Sequence, residues 1–519
     1  MTMTMQPVVP DATRGVPWPE AAALAVVLFT FVFVAVTFTS SGPQHADAVM
    51  DAEPSINMVL GRGAVSFAHS QSTPGSIHAL VTPLYTALLA AWLAVWGIGC
   101  RAVMSFNAVA VAAAAGCVWL FLARTALVRS APLRLLAVAS LPLLAPVAVV
   151  YSNNRYDSIG MLGLAAACAT LTCERRPLRL ALLAGCGILV GTGGFHVIIG
   201  GAVLACLALA ARGRGSLMEF LAFGVGTAVG LAITLGVVVG TGAMESLRGA
   251  LNHNQTGVRR TPSLRNLAWC LVSPLRGGQR TGILDADLLP LAAMACAVIG
   301  TALSRRPLGL RSAAVFGAAC GICVPLALSM AGRYSGTYVW LAVVPVFIGV
   351  IIAIDRDLEP GRWRWAAIAL LAATVAAGFP ARAAVAAAEW RAWDRAPVES
   401  FIQSHMEPDD VVYTTFTGYY PVKQRARLGF FGSAFRSMTA EQRAAVTLMV
   451  IGGKENGTAL YEPTAEEAMA SFGGAWDEVG DLVVPRGAIR MSLPLRPKSD
   501  CTYHVTVYRR RAASAVADP

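Results

Sequence analysis

Two aspartates and a glutamate, Asp47, Asp51 and Glu53, lie in a polar stretch, 44–76, placed directly after the first long apolar run and before a succession of further ones. A carboxylate held at the bilayer boundary by flanking helices can take a proton from a hydroxyl, the work of a general base. A third aspartate, Asp157, ends the polar segment Tyr151-Ser-Asn-Asn-Arg-Tyr-Asp157. Arginines accompany these acids: Arg155 inside that segment, the Arg259/Arg260 pair after Gly242, and Arg333 beside Tyr334 at the head of a late apolar run. A guanidinium offers a rigid fork of donors that pairs with oxyanions such as carboxylate or phosphate.

Each of these residues has a plainer use. An acid in an aqueous loop is usually solvated surface, and Asp157 followed by Ser158 would open the next helix as a cap. The Arg259/Arg260 pair would equally well bind lipid head groups. His45, His69 and His78 have irregular spacing and no cysteine beside them, which suits interfacial hydrogen bonding better than zinc.

The elements that must position these groups follow from composition. Hydrophobic residues make up 56% of the 519 and charged ones 14%, against about 25% charged in a soluble domain, so the chain is a multi-span membrane protein. The net charge of +11 would suit nucleic acid, but the arginines cluster between apolar runs, where cytoplasmic loops retain them and anionic membrane lipid attracts them. No nucleic-acid partner is expected. Ten of the eleven cysteines fall in or beside the membrane portion and read as packing residues, including Cys320 and Cys323 in an apolar run.

Apolar runs cover about 21–40, 77–99, 102–123, 132–150, 158–173, 178–193, 195–212, 217–241, 286–304, 311–332, 336–354 and 363–382. Arginine clusters at Arg124/Arg129/Arg134, Arg175/Arg176/Arg179, Arg212/Arg214, Arg305/Arg306/Arg311 and Arg356/Arg362/Arg364 mark cytoplasmic connections. The alternation works only if one early run fails to span, and 77–99, with Thr82, Pro83 and Tyr85 near its start, suits a juxtamembrane or re-entrant helix. Eleven crossings of the plasma (inner) membrane result, with a cytoplasmic N-terminus, an uncleaved first anchor and an extracytoplasmic C-terminus. The first outer loop is then 41–76, the membrane module is 1–385, and 386–519 is an outer domain of alternating helix and strand, a small mixed α/β fold. Within it, helices are expected over 397–406, 439–445 and 464–472, and strands over 410–415, 446–451 and 503–508.

The order of these features resembles the GT-C superfamily of membrane glycosyltransferases, which includes protein O-mannosyltransferases and lipid A aminoarabinose transferases. The resemblance rests on the acidic segment Asp47-Ala-Val-Met-Asp-Ala-Glu53, then Leu60-Gly-Arg-Gly63, then Thr82-Pro-Leu-Tyr85, then the segment ending in Asp157, and finally Gly332-Arg-Tyr334. It departs from the family in lacking an Asp-Glu doublet, which leaves Asp47 and Asp51 as competing bases; the distance to Gly61 and Gly63 favours Asp47.

The resemblance implies transfer of a sugar, with inversion, from a polyprenyl-phosphate donor to a glycolipid, polysaccharide or protein acceptor. Asp47 or Asp51 would act as base, and Arg333, Tyr334, Arg155, Arg259 and Arg260 would hold the donor phosphate. Glu53, Tyr85 and His45 would position the acceptor or the loop. Asp157 would orient the acceptor or, with Asp47 or Asp51, hold a divalent cation such as Mg2+ or Mn2+. No cofactor is fixed by spacing, because the oxygen ligands are scattered across loops.

A transporter or lipid flippase is the competing class, although paired repeats and charges along a central path are its usual marks. An O-antigen ligase or polymerase shares the lipid-linked donor and an arginine-rich outer loop; the acidic first loop argues against it.

Overall fold

The computed structural model describes residues 17–39, 46–68, 74–77, 82–152, 154–193, 216–244, 288–304, 340–388, 391, 394–452, 463–485 and 501–511. Helix α1 (Trp18–Thr39) occupies the first apolar run. The polar stretch after it folds into two short helices, α2 (Ala46–Met50) and α3 (Glu53–Val59), and an antiparallel hairpin of β1 (Val65–Ser66) and β2 (Ser76–Ile77). Helix α4 (Pro83–Trp96) leads into the long α5 (Cys100–Arg124).

The expected 132–150 run is divided into α6 (Ala131–Ser140) and α7 (Ala145–Ser152), bent by 59°. Pro142 and Pro146 lack the N–H that a continuous helix needs there, which accounts for the bend. Helices α8 (Asp157–Thr170), α9 (Arg176–Gly191), α10 (Ser216–Gly240), α11 (Leu288–Leu303), α12 (Trp340–Arg356) and α13 (Arg362–Ala376) fall within a few residues of their runs. Among the described residues, four helices are long and apolar enough to cross a membrane, or five if α6 and α7 form one bent span. The runs 195–212 and 311–332 lie outside the described residues.

Polar contacts mark the two ends of the helical layer. At one end, Glu20 at the start of α1 accepts from Trp119 near the end of α5 at 2.9 Å and from Arg134 at the start of α6 at 2.8 Å. Asp355 and Arg356 of α12 reach the same α5–α6 connection, through the Arg129 amide at 2.6 Å and the Leu127 carbonyl at 2.8 Å. The other end carries the first loop, the α7–α8 junction and the start of α5. Helix α4 begins and ends on this second side: Tyr85 bonds to the α7–α8 junction, and the carbonyl of Ile98, just past the helix, accepts from Gln424 at 3.1 Å. Helix α4 therefore returns to the side on which it starts.

Helices α9 and α10 run parallel in close contact. Gly187-x-x-x-Gly191 faces Gly226-x-x-x-Gly230, and a β-carbon on any of the four would strike backbone of the other helix. Without a hydrophobic drive between helices in lipid, such small-residue faces let backbones approach and gain dispersion contact.

Beyond α14 (Arg382–Ala388) and α15 (Ala396–Ser404), the chain builds a five-stranded mixed sheet from β3 (Val411–Thr414), β4 (Leu428–Phe431), β5 (Leu448–Gly452), β6 (Trp476–Pro485) and β7 (Cys501–Arg510). The strand order is β4-β3-β5-β7-β6, with β3 parallel to both neighbours and β7 antiparallel to both of its own. Strands β4 and β6 and the helix α16 (Tyr419–Arg425) were not among the expected elements. Helices α17 (Ala440–Ala445) and α18 (Ala465–Phe472) open with capping boxes, Thr439 with Gln442 and Thr464 with Glu467, each pair satisfying two N–H groups that a helix start leaves open. Alternation along the strands separates two cores. Tyr413, Phe430, Met449 and Ile451 share a cluster with Ala468 and Phe472 of α18, whereas Val412, Leu448, Val450 and Val505 share one apolar cluster with Ile56, Leu89 and Val103 of the membrane part. That shared core seats the sheet on the first loop and on α4 and α5.

Candidate functional site

The first loop is shaped by its backbone chemistry. Helix α3 ends in a Schellman motif: Arg62 N–H donates to the Asn57 carbonyl at 2.8 Å and Gly61 N–H to the Met58 carbonyl at 3.1 Å. That turn puts Gly61 at φ +71° and Gly63 at φ +74°, a region where a β-carbon is strained, so the Leu60-Gly-Arg-Gly63 spacing has a geometric cause. Asn57 Nδ2 bonds to the Val65 carbonyl at 2.7 Å and Ser55 Oγ to the Thr86 carbonyl at 3.0 Å, fixing α3 to the hairpin and to α4.

The first loop meets the α7–α8 junction through a buried polar network. The Tyr85 hydroxyl donates to the Asn154 carbonyl at 2.7 Å and accepts from Asn107 Nδ2 at 3.2 Å. Asn154 Nδ2 in turn donates to the carbonyl of Ala48 in α2 at 3.1 Å, and Ser158 Oγ to Asn107 Oδ1 at 2.7 Å. Asn154 sits at φ +51°, a conformation that asparagine tolerates better than most residues. Asp157, the first residue of α8, is fully buried and paired with Arg155 Nε at 2.8 Å. Asp51, half-buried in the turn between α2 and α3, and Asp157 both lie near enough for their charges to act on the Tyr85 hydroxyl.

Among the candidate residues, the structure thus brings Asp51, Tyr85, Arg155 and Asp157 together. Asp47 lies in α2, one residue before the Ala48 carbonyl that Asn154 holds; its side chain is outside the described residues. His45, Arg259, Arg260, Arg333 and Tyr334 also lie outside them. Arg155 is turned toward Asp157, with its guanidinium 5.6 Å from the Tyr156 ring centroid. Among the described residues, no three His, Cys, Asp or Glu side chains come together as a metal site. The ion pair engages one Asp157 oxygen, Oδ2, with Arg155.

Glu53 is held differently from the other acids. Its Oε1 accepts from Lys423 Nζ of α16 at 2.9 Å, and its Oε2 accepts from Ser66 Oγ and the Phe67 amide, both at 2.8 Å. The ammonium lies 5.2 Å from the ring centroids of Phe67 and Phe431 and 5.9 Å from that of Tyr419. Burial lowers the Lys423 pKa, and the Glu53 charge only partly offsets this.

Sequence reasoning missed Lys423, Asn107 and Asn154. For Lys423 a signal existed: of 41 basic residues only Lys423, Lys454 and Lys498 are lysines, and Lys423 follows the apolar Tyr419-Tyr-Pro-Val422. Asn107 offered a weaker one, as an amide within an otherwise apolar run.

No family model matches the sequence, and no curated protein matches it. Among solved structures, ArnT from Cupriavidus metallidurans bound to undecaprenyl phosphate superposes with a TM-score of 0.55 at 15% identity, over 96% of this chain and 99% of that one. The arabinofuranosyltransferase AftD from mycobacteria gives a TM-score of 0.46 at 13% identity, over 97% of this chain and 40% of that one. ArnT in the apo state gives 0.38 at 16% identity, over 94% of this chain and 98% of that one. The last two overlap too loosely to carry an argument. The first, spanning both chains almost end to end, shows a shared fold.

Proposed function

We propose that this chain, a multi-pass membrane protein with the GT-C fold, is a glycosyltransferase that moves a sugar from a polyprenyl-phosphate donor to a glycolipid, polysaccharide or protein acceptor on the extracytoplasmic face. One observation carries the reading. The acidic first loop is clamped to the α7–α8 junction by Tyr85, Asn107 and Asn154, which gathers carboxylates at one end of an apolar helical layer. The solved structure of like fold holds undecaprenyl phosphate, a lipid of the proposed donor class.

In the proposed reaction Asp47, or Asp51 in its place, takes the proton of the acceptor hydroxyl. The freed oxygen attacks the anomeric carbon as the carbon–oxygen bond to the lipid phosphate breaks, inverting that centre. Arg333, Tyr334, Arg259 and Arg260 are the proposed partners of the departing phosphate, where charge-assisted hydrogen bonds act most strongly. Asp157 orients the acceptor side of the site from its pairing with Arg155.

The orientation belongs to the same proposal. The α5–α6 connection, with Arg124, Arg129 and Arg134, lies at the Glu20 end of the layer, which under the positive-inside rule is cytoplasmic. The first loop and the sheet of 386–519 then face outward, in an eleven-span arrangement with a cytoplasmic N-terminus. Lipid analysis of membranes with and without the protein tests the function. Loss of the protein should cause a polyprenyl-phosphate sugar to accumulate, and the purified protein should discharge it onto an acceptor. An unchanged pool would overturn the reading, and a sugar that changes leaflet but stays on its lipid would identify a flippase.

A further inference from the structure

Resting on that reading, we propose that Lys423 is a positioning residue of the transfer site: from the sheet domain, and through Glu53, it holds the loop that carries Asp47 and Asp51. The Lys423 and Glu53 side chains are 2% and 0% exposed, so this ion pair is sealed within the seam between sheet and loop. One carboxylate ties three pieces of chain. It is the first residue of α3, it accepts from Ser66 and Phe67 at the end of β1, and it meets the ammonium from α16.

The surroundings fit that task. Phe67, Phe431 and Tyr419 wall the ammonium with ring faces that attract a cation. Beside it the Phe431 amide donates to the Phe67 carbonyl at 3.1 Å, so side chain and backbone close the same contact. Gln442 Nε2 adds a tie to the far side of the loop, at the Pro74 carbonyl, 3.1 Å away.

A buried ion pair is a poor device for stability alone. An apolar pair of similar volume usually serves as well, because desolvation offsets the Coulomb attraction. What the pair supplies is one geometry. The carboxylate has about four hydrogen-bonding directions, and Lys423, Ser66 and the Phe67 amide take three of them, which ties the start of α3 to α16 and to the end of β1. Asp51 is two residues away and α2, which carries Asp47, directly precedes it, so a shift of Glu53 is passed to the segment that holds the proposed base.

The test compares wild type, Lys423→Met and the neutral pair Glu53→Gln/Lys423→Met, each purified in lipid. Hydrogen exchange over 53–68, melting temperature, kcat and donor KM are measured on the full-length protein. Lys423→Met should speed exchange across the loop and lower kcat by roughly a hundredfold, the scale of an about 1 Å misplacement, with little change in donor KM because the phosphate is held elsewhere. The neutral pair should recover the melting temperature yet keep the low kcat, and it also serves if Lys423→Met fails to fold. A neutral pair with wild-type kcat, or unchanged loop exchange in both variants, overturns the proposal. Should wild type transfer no sugar from any polyprenyl-phosphate donor while loop exchange still responds to Lys423, the functional reading fails and the mechanical tie stands.

Discussion

The Tyr85 hydroxyl lies 2.7 Å from the carbonyl of Asn154, 69 positions along the chain, and this bond ties α4 to the α7–α8 junction, where Asn154 also holds the Ala48 carbonyl of the first loop. Tyr85→Phe removes the hydroxyl donor from that buried carbonyl, while Asn107 Nδ2 keeps the Val103 carbonyl and Asn154 Oδ1 as acceptors. A loss of about 1–3 kcal/mol is expected from thermal or denaturant unfolding in detergent. Unaltered stability would mean that the hydroxyl holds nothing the phenyl ring does not.

Arg155 and Asp157 form a buried pair, so removing one charge strands the other. Asp157→Asn is expected to destabilise the protein by about 3–5 kcal/mol, and Arg155→Met added to it should recover most of the loss. Transfer rates of the recovered double variant then report whether the Asp157 carboxylate also orients acceptor. A single variant as stable as wild type would contradict the pairing.

Asp47→Asn should leave expression and melting intact while lowering transfer by at least about a hundredfold, the lower range for loss of a general base. Asp51→Asn should be milder. The opposite ranking, measured by initial rates with saturating acceptor, moves the base to Asp51, and full activity in both removes the mechanism.

Burial sets the Lys423 pKa below 10.5 despite Glu53. The unfolded chain therefore holds this proton to higher pH than the folded one, and stability gains from the group as pH rises between the folded value and 10.5. Wild type should improve against Lys423→Met in melting temperature across that window. A pair that raised the lysine pKa would give the opposite trend, and observing that trend would falsify the assignment.

At the α9–α10 crossing, Gly226→Leu has no room, because a β-carbon alone would strike the carbonyl of Ala184. A penalty of about 1–3 kcal/mol or more is expected for this overpacking. Gly224→Leu, two residues along the same helix with nothing within 4 Å of its β-carbon position, should be tolerated. Parallel melts of the two variants check the contrast.

Much of this architecture can be read from residue order. A helix in lipid satisfies its own backbone, so apolar length alone marks the runs that became α1, α5, α10 and α13. Thr439 and Thr464 announce their helices for the same local reason, since a cap needs only the residues that follow it. The acidic first loop and the Tyr151 to Asp157 segment were visible as polar interruptions. Strands β4 and β6 were not. The four residues of β4 carry too little pattern, and β6 has no buried residue and pairs with β7 across a long intervening stretch of chain.

By itself, then, the sequence determined the membrane class, the positions of the helices and the acidic and basic residue types available at one end of them, because each depends on a local window of chain. Only the tertiary structure decided which charges meet. Glu53 finds Lys423 across 370 positions, while Arg155 turns to Asp157 two residues away. Whether a buried carboxylate pairs with a neighbour or with a distant lysine depends on which surfaces close over it and exclude water, and that closure is made by the sheet packing onto the first loop.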